Sequence, residues 1–386
     1  MTTVELDGHA VALSPNHHGR HEHLISVPSP TSATRGIDAI ILPTARTADE
    51  TAYAASLAAR LGCTLVALCS QWSVASEVFR VARPYGANVV VIDTKRLPAG
   101  LLPRFATDRL LEGTRFYRTN DTSRKRNLGL LVAQLCGWQR VVFLDDDIAI
   151  PDPGDLRLAA GLTDRYAGVG LAIDESWPSF PDNSVVCHAF RDAGGDQGMF
   201  VGGGALVVGA ESMRSFFPNI YNEDWFFLLG ENSLRPVTMV GRALQRPYDP
   251  YEDGRRAQSE ELGDCLAEGL FWLFDNGGSI QDADAHFWQQ FLGRRLRFIT
   301  EVTGMVHRMH VAQGLRTKML TALRAARGRS ERITPELCTR FVALWRADRD
   351  TWRDHVDRTQ ERHSAVAVEK VLAALGLMAQ SRLVRA

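Results

Sequence analysis

From residue 37 onward, short apolar runs alternate with stretches of helical spacing. Ile37–Leu42 is an apolar run closed by Pro43, and the spacing over Asp49–Leu61 predicts a helix. Thr64–Cys69 reads as the next strand, Val74–Ala82 as a helix and Asn88–Ile92 as a third strand. Ser123–Cys136 predicts a helix that starts at a Ser cap, and Val141–Leu144 a fourth strand that runs straight into Asp145, Asp146 and Asp147. Fully apolar strands alternating with helices imply an α/β fold, a mostly parallel sheet covered on both faces. Open sheets of this kind hold ligands at the carboxyl ends of their strands.

The pattern is weaker on either side. Residues 1 to about 35 are polar, carry Pro15, Pro28 and Pro30, and hold five of the 11 histidines: His9, His17, His18, His21 and His23. Nothing periodic surrounds them, so a flexible, solvated tail is expected, although such a cluster has the donors to bind a transition metal. Val185–Val208 reads as strand-like and glycine-rich, and Asp224–Leu229 and Ser259–Phe274 as helical. After about residue 300 the chain turns helical and arginine-rich, with Thr334-Pro335-Glu336 as a capped helix start. The expected organisation is a tail (1–35), an α/β domain (36–300) with halves 36–150 and 151–300, and a helical C-terminal region (301–386).

A length of 386 residues suits one large domain with an appendage, or two domains. Lys and Arg number 44 against 45 Asp and Glu, a net charge of -1. Phosphate-backbone binding needs clustered positive charge, so no nucleic-acid partner is expected. The six cysteines show neither a C-x-x-C pair nor metal spacing, which suits reduced thiols. No run approaches the roughly 18–20 apolar residues that span a bilayer. No charged start followed by an apolar stretch marks a secretory signal. A soluble, cytoplasmic protein without a transmembrane segment is expected.

The strongest chemical signal is the acidic strand end. Side chains alternate along a strand, so Asp145 and Asp147 are expected to point the same way. Two such carboxylates in a ligand crevice call for a cation, and hard oxygen donors suit Mg²⁺ or Mn²⁺ held together with substrate phosphates. The preceding helix opens with Arg124, Lys125 and Arg126, against the sign its dipole favours, so an anion such as a diphosphate would compensate.

Here the chain resembles the GT-A-type glycosyltransferases, in particular the family-2-like group. Arg126, Asn127 and Gly129 match that family's Arg-Asn-x-Gly helix, and Asp145 and Asp147 match its Asp-x-Asp. Gly202-Gly203-Gly204 resembles the small-residue segment of the sugar pocket, and Asn222-Glu223-Asp224-Trp225 the Glu-Asp motif at a helix start. The ordered set spans residues 36 to about 230. The resemblance implies a nucleotide-diphospho-sugar donor and Mn²⁺ or Mg²⁺ on Asp145 and Asp147. It further implies Asp224, beside Glu223, as the base that takes the acceptor's hydroxyl proton, by inversion. Thr44, Arg46, Arg126, Asn127, Asp146 and Gly203 are the implied donor contacts. The family's Asp-Asp-Gly-Ser turn is replaced by Leu68-Cys69-Ser70-Gln71-Trp72, and the Gln-x-x-Arg-Trp signature of its polymerising members is absent, so a small soluble acceptor is expected.

Several readings stay open at this point. A nucleotidyltransferase on a similar sheet would also use paired aspartates, and an inactive nucleotide-sugar-binding protein would keep the fold. His188, His286, His307 and His310 are available as a further metal ligand. Asp253, Gln258, Glu260, Glu261 and Asp264 read as a solvated helix face. The C-terminal helices read as an acid-balanced cap or as a contact for homo-oligomers.

Overall fold

The computed structural model describes residues 2–6, 9–28, 33–174, 182–363 and 367–385. The chain opens with an antiparallel hairpin, β1 (Thr2–Leu6) and β2 (His9–Leu13). The alternation then runs β3 (Ala39–Thr44), α1 (Ala52–Leu61), β4 (Thr64–Cys69), α2 (Ala75–Ala82), β5 (Asn88–Asp93), α3 (Ala106–Leu111), α4 (Thr122–Leu135) and β6 (Arg140–Leu144). Beyond the three aspartates come β7 (Ile148–Ala149), α5 (Pro153–Leu162), β8 (Gly168–Ile173), α6 (Val185–Asp192), β9 (Ala205–Gly209), α7 (Glu223–Leu228) and β10 (Val237–Gln245). Helices α8 (Gly254–Asp275), α9 (Ala285–Arg308), α10 (Gln313–Ser330), α11 (Pro335–Arg362) and α12 (Val368–Ala374) lead to a last strand, β11 (Ser381–Val384).

β3 to β11 form one nine-stranded sheet in the order β11-β5-β4-β3-β6-β9-β8-β10-β7. β3, β4, β5, β6, β8 and β10 run one way, while β9, β7 and β11 oppose them. The α/β expectation therefore holds as a large mixed, mostly parallel sheet with helices against it. Every residue of β3 is buried, and separate apolar clusters fill the two sides of the sheet. The chain steps outward from β3 to β4 and β5, then returns to place β6 on the other flank of β3. That reversal opens a crevice at the carboxyl ends of β3 and β6. α4 covers it closely: a Cβ on Gly129 would stand 2.5 Å from the Ile41 side chain, so only glycine admits the helix at this distance.

Three expectations about organisation need correction. Of residues 1–35, those numbered 1, 7, 8 and 29–32 lie outside the described set, but much of the rest is built into the fold. Ala12 exchanges backbone hydrogen bonds with Gly194 and Asp196, Gly198 donates to the Gly19 carbonyl, and His17 and His21 are buried. Their acidic partners lie on α8, some 250 residues away, where local pattern cannot reveal them. Val185–Val208 is not strand-like throughout. Ser184 accepts from the Cys187 N–H and starts α6, whose apolar residues face α9 and α10, and only β9 is extended. Nor does a boundary fall at 300, because α9 runs unbroken across it, while one sheet carries strands from both expected halves of the α/β domain. The C-terminal helices return to the sheet. Asp348 on α11 accepts from the Ala106 and Thr107 N–H groups at the start of α3, and β11 extends the sheet beside β5. Among the described residues, no helix is long and apolar enough to cross a membrane. All six cysteines are buried and outside disulfides.

Candidate functional site

The crevice beside β3 and β6 holds the three aspartates, and each has a different partner. Asp145 accepts from Arg126 Nη2 at 3.0 and 3.2 Å through its two oxygens. Asp146 accepts from the Thr44 hydroxyl at 2.7 Å and pairs with Arg46 Nη1 at 2.9 Å. Asp147 pairs with Arg46 Nη2 at 3.0 Å. Burial pushes Asp145 up to about 7, reinforced by Asp147 and opposed by Arg126. The carboxylates line a cavity of about 250 Å³, whose wall includes Arg46, Gln71 and Lys125.

A second cavity of about 220 Å³ adjoins it, sharing Asn120, Thr122, Asp145, Asp182 and Gln245. Its wall combines Gly202, Gly203 and Gly204 with Asn222, Glu223 and Asp224. Arg126 ties the two regions together, donating through Nη1 to Glu223 at 2.9 Å and through Nη2 to Asp145. Gly203 is dictated by that arginine, since a Cβ there would stand 2.4 Å from Arg126 Nη1. Asp224 accepts backbone N–H bonds from Gly203 and Trp225, one to each oxygen. Burial and the neighbouring Glu223 nevertheless raise it to about 6, against Arg126 and those two bonds. Asn222, just before α7, has φ 58°, and Gln71, just after β4, has φ 48°. Each lines one of the cavities, and left-handed backbone at non-glycine residues is a form of strain concentrated at functional sites.

The structure thus brings together Asp145, Asp147, Arg126, Gly203, Glu223 and Asp224 from segments spread over 100 residues of sequence. It assigns others a different task. Asn127 spends its amide on the Phe217 backbone, with N–H···O distances of 2.8 Å in both directions, and offers nothing to a donor. Thr44 is buried and committed to Asp146, and of the two only Arg46 reaches a cavity wall. The start of α4 is less cationic than its sequence implies. Lys125 is buried between the Thr44 carbonyl and Asp121, Arg126 is neutralised by acids, and Ser123 bonds the Pro218 carbonyl instead of capping. Among the described residues, none of His188, His286, His307 and His310 lines either cavity, whereas His21 lines the second.

Two features escaped sequence reasoning. Arg118 lies 3.7 Å from Glu223 across the cavity, with its buried Nε lacking a partner. No periodicity marks it. Glu260, Glu261 and Asp264, expected in solvent, are buried, with Glu261 and Asp264 holding Arg295. A signal was present here: Glu261, Asp264, Glu268 and Asp275 recur at helical spacing in the otherwise apolar stretch 261–275 of α8, which turns them inward together.

Chemically, the arrangement offers a carboxylate pair at a strand end and an under-neutralised, half-buried aspartate in an adjoining cavity. No family model matches the chain, and no curated protein matches its sequence.

Proposed function

We propose that this protein is a metal-dependent glycosyltransferase of the GT-A type, moving a sugar from a nucleotide-diphospho-sugar to a hydroxyl of a small acceptor. The observation that carries this reading is the sharing of Asp145 between two adjoining cavities, one ending at Asp147 and the other at Asp224. The first suits the nucleotide diphosphate, lying at the crevice where the strand order reverses. The second, walled by glycines and acids, suits the sugar and acceptor.

The donor set fits Mg²⁺ or Mn²⁺, because Asp145 and Asp147 supply oxygen only and Asp145 is a half-buried carboxylate whose charge is incompletely offset. Asp146 is spent on Thr44 and Arg46, so Asp145 and Asp147 are the carboxylates that would hold the ion, together with substrate phosphates. When bound, the ion supplies neutralisation of the departing diphosphate. Arg126 orients Asp145 and Glu223 together, and Arg46 orients Asp146 and Asp147. Asp224 takes the acceptor's hydroxyl proton as that oxygen attacks the anomeric carbon. Its two backbone bonds fix the carboxylate and leave a second lone pair on each oxygen for the proton. A base held at about 6 is ionised at neutral pH yet basic enough to work. Direct displacement inverts the anomeric carbon.

The test is thermal unfolding with nucleoside diphosphates and nucleotide-sugars, with and without Mn²⁺. A ligand bound only by the native state adds RT ln(1 + [L]/Kd), about 2.7 kcal/mol at 100 times Kd. A metal-dependent shift confined to one nucleotide supports the reading and names the base. Absence of any shift sinks the donor site.

A further inference from the structure

We propose that His17, Cys187 and Glu268 form a second metal site, for a borderline-soft divalent ion such as Zn²⁺, which clamps the N-terminal segment to α6 and α8. One donor atom from each lies within 4.8 Å of the other two, and all three side chains are buried. Cys187 Sγ is 3.7 Å from His17 Nε2, and Glu268 Oε2 is 3.8 Å from His17 Nδ1. Sulfur, imidazole nitrogen and carboxylate oxygen are a zinc donor set, unlike the oxygen-only pair at Asp145 and Asp147.

In its neutral form, with one ring proton, His17 meets a conflict in a purely structural network. Nε2 lies 2.7 Å from Gln197 Oε1, and Gln197 is fixed in that orientation because its amide nitrogen donates to the Gly198 carbonyl at 2.9 Å. With the proton on Nε2, the Nδ1 lone pair faces the Glu268 carboxylate. With the proton on Nδ1, the Nε2 lone pair faces Gln197 Oε1. A cation between Nδ1 and Glu268 resolves the first arrangement, and the Nε2–H···Gln197 bond then sets the tautomer as an outer partner does in metal centres.

Around this region Glu261 and Asp264 pair with Arg295, Glu268 and Asp275 with His21, and Asp275 also with His18 and His23. Binding releases the Cys187 thiol proton to solvent, and Cys187 and Glu268 line the cavity, which provides the ion's route in. The clamp would hold Gly19 against Gly198, and so the cavity wall that Gly198 forms.

The experiment is a Co²⁺ titration of the chelator-treated full-length protein. A single equivalent should bind with a thiolate-to-cobalt charge-transfer band in the near ultraviolet, and Zn²⁺ should displace it. Cys187→Ser should abolish the band and Asp145→Ala should leave it intact, which separates this site from the proposed donor site. No band in the wild-type protein, or a band that survives Cys187→Ser, overturns the proposal. X-ray absorption of the zinc-loaded wild-type protein requires no variant to fold: one sulfur at about 2.3 Å supports the site, and nitrogen and oxygen alone refute it.

Discussion

Asp145 and Asp224 lie toward the strand-end side of the cavity and are held at about 7 and about 6, whereas Glu268 on α8 is held at about 2. Glu268 is buried and the two aspartates are half-buried, so loss of solvation alone would raise each of them. Glu268 falls instead because positive charge faces it, with His21 Nε2 at 3.2 Å. Around Asp145 and Asp224 a single guanidinium, Arg126, serves two acids at once and is outweighed. The first pair keeps unfavourable charge available for chemistry or a cation, which is how working carboxylates are commonly distinguished from structural ones. The second region has converted its charge into attachment of the N-terminal segment.

The comparison is broken most forcefully by removing the acid assigned to catalysis. Asp224→Asn should cost about 10²–10⁴-fold in transfer rate while leaving nucleotide-sugar binding in place. Rate measured beside a thermal-shift titration checks this, and an unimpaired rate would remove Asp224 as the base. Glu268→Gln should do the reverse. It leaves His21 without one of its two buried partners, and breaking a buried pair costs about 3–5 kcal/mol of stability. Denaturant unfolding reads that loss; a stability change as small for Glu268→Gln as for a surface substitution would erase the contrast between the two regions.

How legible each region was follows from the range of its contacts. Asp145 to Asp147 announce themselves because a buried strand ends in them, and Glu223 and Asp224 because they open a helix after a turn. The coarse sheet was legible for the same reason, since β3 to β6 are continuous apolar runs. The N-terminal segment was not legible: His21 meets Asp275 at 2.6 Å across 254 positions, and no local pattern encodes a partner so distant. β11 was missed likewise, because a four-residue strand at the end of a helical region becomes extended only by pairing with β5. Asn127 misled in the other direction. It matched a motif, yet the residue serves the Phe217 turn, so motif membership reported position in the fold and not contact with a ligand.

A smaller effect tests whether Arg126 is the shared counter-charge. Gly203→Ala places a methyl 2.4 Å from its Nη1, and the guanidinium must move. Overpacking of this kind costs about 1–3 kcal/mol. The expected signature is a lower melting temperature together with weakened metal-dependent nucleotide binding, since Arg126 orients Asp145. A stability loss with unchanged metal dependence would show that Asp145 is positioned without Arg126.

The smallest effect is the pH slope of stability, and it sharpens the contrast at a single residue. Asp224 rises from an ordinary 3.8 to about 6 in the fold, so between those values the native state binds more protons than the unfolded chain. Stability contributed by this group therefore falls as pH climbs from about 4 to 6 and is flat above. Asp224→Asn cannot titrate, although its amide nitrogen confronts one of the two backbone N–H donors and costs a constant amount at every pH. The difference in unfolding free energy between variant and wild type should thus shift in the variant's favour from pH 4 to pH 6, then level off. Denaturant melts across that range measure it. A difference independent of pH would mean that Asp224 carries its charge comfortably, and the separation between the carboxylates beside the strand ends and those on α8 would lose its physical basis.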